Sequence, residues 1–275
     1  MYSIESTMVG PLWARATFNQ LYPEILHDLK ATELMEKVKS MHPEAEAEFS
    51  MLPLFVDEFF GLNFVIRAKT FDDALKNYIE KNSDTNVVNI GCGLDTTFSR
   101  VDNGRIMWFD LDLPKAIEYR KQLIPESLRN KCIAKSVFDY AWFDEVDFKV
   151  EKGIFFIAGG LFQYFKEKEV SALFKAMAER FPGGEFIFDA PSKLGNKIIN
   201  RRFKKFGVKG ITFDFSLGNP VKQISKWSDK IQVVDWFPLF ARTPRNPKWK
   251  ITTRFQMNVC DYLKLGKYAQ VRFLQ

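Results

Sequence analysis

Apolar positions recur along the chain with two different periods. Val170, Leu173, Phe174, Met177, Ala178 and Phe181 fall three and four residues apart, which predicts a helix over 167–181 with one apolar stripe. Pro182-Gly183 stops it. Phe71, Ala74, Leu75, Tyr78 and Ile79 repeat that spacing, and the pattern places Asp72 and Asp73 early in their helix, where negative charge suits the free N–H groups. Between the helices lie short stretches rich in apolar residues, as in strands buried on both faces. They predict strands at 86–90, 105–110, 133–137, 153–158 and 185–188. Further strands are expected at 211–215, 231–237 and 268–274, and helices over 194–206, 221–227 and 253–263. In the first of these helices Ile199, Phe203 and Phe206 share one side. Residues 238–250 hold three prolines and read as a loop.

Strands alternating with helices argue for an α/β fold with a parallel sheet covered on both faces. Residues 1–60 precede the first clear strand and read as a helical cover. Residues 61–275 form the main domain, with an insertion on the substrate side at about 190–230. Several late segments compete for the last two strands.

Composition narrows the classes. The chain is 46% hydrophobic with 28 phenylalanines, enough for a large core and unlike a disordered protein. The net charge of +6 suits an acidic partner but is a weak case for nucleic acid. The densest basic stretch is Lys193, Lys197, Arg201, Arg202, Lys204, Lys205 and Lys209. Three scattered cysteines, Cys92, Cys132 and Cys260, fit a reduced compartment, and no signal-peptide pattern or spanning segment is seen, so a cytoplasmic protein is expected, away from membranes. The two histidines, His27 and His42, stand outside any metal-binding motif, so no metal is expected.

In an open parallel sheet, ligands collect at the carboxyl ends of the strands. There Gly91-Cys92-Gly93 forms a tight turn where backbone can approach a ligand. Asp110, 19 positions after Gly91, and Asp112 stand at the end of the second strand, where an acid can accept both ribose hydroxyls. A dinucleotide fingerprint would continue to a third glycine, with a pyrophosphate over the next helix. Here Thr96 takes the third position, and Asp95 puts a carboxylate where the pyrophosphate would lie. Repulsion disfavours a nicotinamide dinucleotide, whereas S-adenosylmethionine has no phosphate and carries positive charge.

Several segments in order carry a resemblance. They are Ala14-Arg15-Ala16, the run Ile66-Arg67-Ala68-Lys69-Thr70-Phe71-Asp72-Asp73, and Val87 to Thr96 through the glycine turn. After these come Trp108-Phe109-Asp110-Leu111-Asp112-Leu113-Pro114, Asp139 with Trp142, and Ile157 to Phe165. Over roughly residues 12–190 the chain resembles the leucine carboxyl methyltransferase superfamily, in its bacterial branch of polyketide O-methyltransferases of the tetracenomycin kind. The resemblance implies a seven-stranded Rossmann-like methyltransferase sheet and S-adenosylmethionine as cofactor. By position it gives Arg67 to the methionine carboxylate, Gly91 and Gly93 to the turn beneath it, Asp112 or Asp110 to the ribose, and Asp139 to the adenine, with Gly159 also at the cofactor. Arg15, His27 and Tyr164 are candidates on the substrate side. The chain departs from the family at Thr97, where an arginine is usual, and at Gly159-Gly160, where Glu-Gly is common.

Plainer readings stand beside these. Asp139 could cap the segment 140–145, Tyr164 could pack beside the sheet, and Arg67 could face solvent. The expected reaction is methyl transfer to a carboxylate or phenolic oxygen of a small molecule, acidic or aromatic and polyketide-like. Because histidine is scarce, no catalytic base is assigned. The alternatives are a nicotinamide-dependent oxidoreductase, a non-catalytic relative, a protein C-terminal carboxyl methyltransferase and, with its usual Asn/Asp-Pro-Pro-Tyr signature missing, a nucleic-acid methyltransferase.

Overall fold

The computed structural model describes residues 4–46, 50, 52, 53, 56–205 and 210–275. Helices α1 (Ile4–Leu21) and α2 (Leu29–Met41) lead into the long helix α3 (Glu58–Ile79). Then follow β1 (Asn86–Ile90), α4 (Thr97–Val101), β2 (Met107–Asp112), α5 (Pro114–Leu123), β3 (Asn130–Ala134) and β4 (Ile154–Ala158). The chain continues through α6 (Glu167–Arg180), β5 (Glu185–Pro191), α7 (Lys193–Lys205), α8 (Pro220–Ile224), β6 (Ile231–Pro238), α9 (Ile251–Tyr262) and β7 (Gly266–Phe273).

The strands form one seven-stranded sheet in the order β3-β2-β1-β4-β5-β7-β6. The first five run parallel, while β7 pairs antiparallel with both β5 and β6. Strand order reverses between β1 and β4, so a crevice opens beyond their carboxyl ends. Every position of β1 and β4 is buried, as expected for strands between two helical layers, the polar Asn86 and Asn89 of β1 included. On one face a phenylalanine cluster, including Phe156, Phe162, Phe174, Phe181, Phe186 and Phe188, packs beneath α6. On the other face Phe71, Leu75 and Ile79 of α3 meet Trp108, Phe155 and Tyr268.

Several expected boundaries move. Helix α3 begins at Glu58, capped by Asp57, whose Oδ1 accepts the Phe60 N–H at 3.0 Å. Asp72 and Asp73 therefore lie deep in the helix, and the expected domain boundary at residue 60 falls inside it. Strand β2 starts two residues later than expected because Asn103 Oδ1 takes the N–H groups of Arg105 and Ile106. Strand β3 comes earlier, at Asn130–Ala134, because Ser136 and Asp139 fold the following residues into turns. Residues 211–215 are not a strand. They lie as a strap, with Asp214 N–H on Gln163 O and Phe215 N–H on Phe165 O. The late strands are settled as β6 and β7, and residues 192–230 connect β5 to β6. Phe206 and Lys209 lie outside the described residues.

Helix α7 sits close against the turn before β7 because Gly195 is bare. A Cβ there would stand 2.1 Å from the Leu265 carbonyl oxygen, a backbone atom that cannot rotate away. Gly195→Ala is expected to destabilise the protein by about 1–3 kcal/mol through overpacking. Denaturant unfolding of the two proteins checks this, and an unchanged midpoint would mean that α7 shifts freely.

Candidate active site

The glycine turn follows directly from β1. Gly91 and Gly93 adopt positive φ angles of 68° and 45°, open to glycine at little cost. Leu161, from the loop after β4, stands beside Gly91, and a Cβ at Gly91 would lie 2.7 Å from it. Met8 of α1 stands over Gly93. Helix α1 thus packs over the turn.

The two acids at the end of β2 have different surroundings. Asp110 is wholly buried. Its Oδ1 accepts from Trp108 Nε1 at 2.9 Å and Asn89 Nδ2 at 3.2 Å, and its Oδ2 from Arg120 Nη2 at 2.7 Å. It faces inward and has no edge for a ribose. Asp112 is half-buried at the crevice, with Oδ2 on the Gly93 N–H at 2.8 Å and Oδ1 on the Leu113 N–H at 2.7 Å. Burial pushes its carboxyl above the usual range, against those two donors. Of the pair, Asp112 is the acid placed beside the turn.

Arg120 of α5 was missed in the sequence. Its Nη1 donates to the carbonyls of Gly93 and Asp95, both at 2.9 Å, while its other nitrogens hold Asp110. The signal was legible: a lone arginine shares the buried stripe of Ala116, Ile117, Tyr119 and Leu123. Burial opposes its charge, but Asp110 and Asp95 outweigh that and make the guanidinium more basic than usual.

A second arginine answers the departure at Thr97. Arg100, one turn later on α4, donates to Asp72 Oδ2 at 2.7 Å and Oδ1 at 2.9 Å, and to Asp28 Oδ2 at 2.7 Å. It also reaches the hydroxyls of Thr96 and Thr97. Arg15 lies on the other side of Asp28, with Nε 3.4 Å from Asp28 Oδ2 and Nη2 on Leu94 O at 2.8 Å. It is buried in the seam between cover and turn, where it fastens α1.

Asp95 completes this network. Its Oδ2 accepts the Thr97 N–H at the start of α4, and the Asn89 amide, both at 3.1 Å. The helix end that would face a pyrophosphate therefore already holds a carboxylate. Burial acts to raise that carboxyl, but Arg15, Arg100 and the bond from Thr97 hold it below the usual range.

Arg67, on α3, reaches the carboxyl end of β4. Its Nη1 lies 3.6 Å from Asp189 Oδ2, and its guanidinium lies 5.1 Å from the Phe64 ring centroid. Only 17% of its side chain is exposed, yet among the described residues it makes no hydrogen bond. A Cβ at Gly160 would stand 2.6 Å from Nη1, and Gly159 is as close to Phe71, so this turn must be bare for Arg67 to cross it. Asp189 Oδ1 meanwhile accepts the Gly160 N–H at 2.6 Å. A sheltered guanidinium with free donors fits a carboxylate ligand. The residues present fit S-adenosylmethionine in three places: this cation, the turn and Asp112.

The remaining candidates spread out. Asp139 is exposed and caps the 3₁₀ turn Tyr140–Glu145, its Oδ1 accepting the Ala141 N–H at 3.2 Å. Tyr164 stands at the crevice mouth, edge-on to Phe213 at 5.2 Å. Burial raises its phenol above the usual value, with Arg67 pulling the other way. His27 is exposed in a cleft on the flank of α3, beside Lys69, Asp73 and Lys76, away from the glycine turn. Cys92 is buried within the turn, and burial raises its thiol.

A depressed carboxyl contributes stability that is present above its unfolded pKa and lost as pH falls through its folded one. Asp95→Asn is therefore expected to destabilise the protein at pH 7 and to cost much less below about pH 3. Urea unfolding of both proteins across that range checks the sign. A cost that stays constant with pH would show that Asp95 acts only as a neutral hydrogen-bond acceptor.

The comparisons with known proteins agree with this geometry. Residues 8–178 match the family model described as leucine carboxyl methyltransferase. The tetracenomycin polyketide synthesis O-methyltransferase TcmP of Streptomyces glaucescens is 28% identical over 224 residues, 79% of this chain and 76% of that protein. Two solved structures share the fold at TM-score 0.59. One is a protein assigned as a methyltransferase from Thermobifida fusca YX, at 11% identity, covering 89% of this chain and 88% of that one. The other is a DUF574 family protein from Streptomyces avermitilis MA-4680, at 8% identity, covering 89% and 90%. With its glycine turn and strand-end acid in the matched span, the chain belongs to the leucine carboxyl methyltransferase family and is a methyltransferase whose methyl donor is S-adenosylmethionine.

Proposed function

We propose that the chain is an O-methyltransferase acting on a carboxylate or phenolic oxygen of a small molecule, polyketide-like and acidic or aromatic, in the cytoplasm. The observation that carries this reading is the scarcity of bases at the strand ends. His27 lines the flank of α3, and half-buried His42 pairs with Glu44 at 3.1 Å and lies against Tyr119. Tyr164, at the crevice, is a phenol whose ordinary pKa of about 10 already leaves it protonated near pH 7, and burial shifts it further upward. An amine acceptor is protonated near pH 7 and must lose a proton first, whereas a carboxylate is already ionised and needs no base. The similarity to an O-methyltransferase of polyketide synthesis supports the same choice. Among the described residues no helix is long and apolar enough to cross a membrane, and no metal-binding cluster occurs.

When bound, S-adenosylmethionine supplies an electrophilic methyl group on a sulfonium. The chain's task is alignment and exclusion of water, since the oxygen, methyl carbon and sulfur must lie in line. In this reading Arg67 holds the cofactor's methionine carboxylate, Asp112 accepts from the ribose hydroxyls, and the Gly91–Gly93 turn lies beneath. Gly159 keeps the space beside Arg67 open, and Asp139 stands on the adenine side. Arg15 and the α1 cover shut water out from above the turn.

Incubation with methyl-labelled S-adenosylmethionine and a panel of aromatic carboxylates, phenols and amines is expected to label oxygen. With a carboxylate the rate should stay flat from about pH 6 to 8, and with a phenol it should climb toward about pH 10. Label found only on nitrogen would defeat the reading. Arg67→Ala and Asp112→Ala are each expected to weaken S-adenosylhomocysteine binding by about 2 kcal/mol, roughly thirtyfold in Kd. Calorimetry checks both, and an unaltered Kd would remove the role given to that residue.

A further inference from the structure

A second cleft of about 560 Å³ opens beside Tyr164, between α7 and the strap at 212–216. It adjoins the strand ends, because Tyr164 belongs to the short turn Phe162–Tyr164 that follows β4. Its walls are fixed by hydrogen bonds. Asn196 Nδ2 donates to the carbonyls of Asp214 and Phe215 at 3.1 and 2.8 Å, and Asn200 bonds Phe213 through both its amide atoms. Asn196 is nearly buried, and with its amide so engaged its Oδ1 is left with no donor. The cleft is thus formed in advance rather than by an occupant.

Its chemistry is aromatic and basic. Tyr164 and Phe203 each meet Phe213 edge-on at 5.2 Å. Lys166, Lys193 and Lys197 line it, and among the described residues none of their ammonium groups has an ion pair or hydrogen bond. Of the two acids in the lining, Glu169 is already engaged by the Lys166 N–H at 2.9 Å. The lining runs along α7 from Lys193 to Asn200, about 10 Å at 1.5 Å per residue. Two fused six-membered rings with a carboxylate at either end span about that length.

A lysine bound to the reacting oxygen would withdraw charge from it and blunt its attack on the methyl group. Exposed, unpaired lysines along an aromatic cleft therefore suit a different anion on the same molecule. We propose that this cleft receives the methyl acceptor, and that Lys193 and Lys197 bind an anionic group of it remote from the oxygen that is methylated. The substrate class is a flat aromatic acid carrying its charge away from the methylated group. This rests on the small-molecule methyltransferase reading above.

The test uses the full chain saturated with S-adenosylhomocysteine and two probes, 2,6-naphthalenedicarboxylate and 2-naphthoate, followed by calorimetry. The wild type is expected to bind the dicarboxylate about tenfold more tightly, as two exposed ion pairs would give, with the margin shrinking in salt. The double variant Lys193→Gln/Lys197→Gln should lose that preference while its unfolding midpoint and S-adenosylhomocysteine affinity stay unchanged. Equal affinity for both probes, a preference that survives the double substitution, or no binding of the dicarboxylate would each overturn the proposal. Failure to bind S-adenosylhomocysteine at all would instead strike the functional reading beneath it.

Discussion

Three buried arginines interleaved with four aspartates hold the working end of this protein together. Arg15, Arg100 and Arg120 bridge Asp28, Asp72, Asp95 and Asp110, which come from the cover, α3, the glycine turn and β2. Buried ion pairs seldom add much net stability, because desolvation consumes the Coulomb gain. Their effect here is geometric. Each guanidinium has donors in a fixed fork, so meeting most of them at once leaves few arrangements of four separate segments.

That constraint accounts for the choice of cofactor. Arg120 grips two carbonyls of the turn from beneath, and Asp95 covers the amide at the start of α4. The turn is consequently shaped without help from any phosphate, and its one open acid is Asp112. A cationic sulfonium nucleoside meets a mildly negative surface there, whereas a pyrophosphate would meet a like charge that cannot move aside. At Thr97, Arg100 supplies a guanidinium from the next turn of helix and bonds the threonine hydroxyl.

How much of this was legible depended on whether a residue's partners were near it in sequence. The helix at 167–181 and the apolar runs of β1 and β4 were read correctly, because their burial follows from local period alone. The glycine turn and the acids after it were found for the same reason. Asp110 and Asp112 looked equivalent, and only the tertiary partners of Asp110, a tryptophan, an asparagine and an arginine, reveal which acid faces inward. The stretch 211–215 alternated like a strand, yet its N–H groups are taken by the loop after β4 and by Asn200. The start of α3 was misplaced because Asp57, its cap, lies far ahead of the periodic residues used to find it.

The fastening of α1 also governs traffic. Arg15 ties that helix to Leu94, and Met8 rests on Gly93. Swinging the helix aside would strand the buried Arg15 guanidinium without its partners, a steep toll on every cycle. Entry and exit are cheaper along the flank where Tyr164 and the α7 lysines carry few tertiary bonds. If the acceptor is the flat aromatic acid proposed above, its methylated product would keep the remote charge and pass the same lysines on its way out.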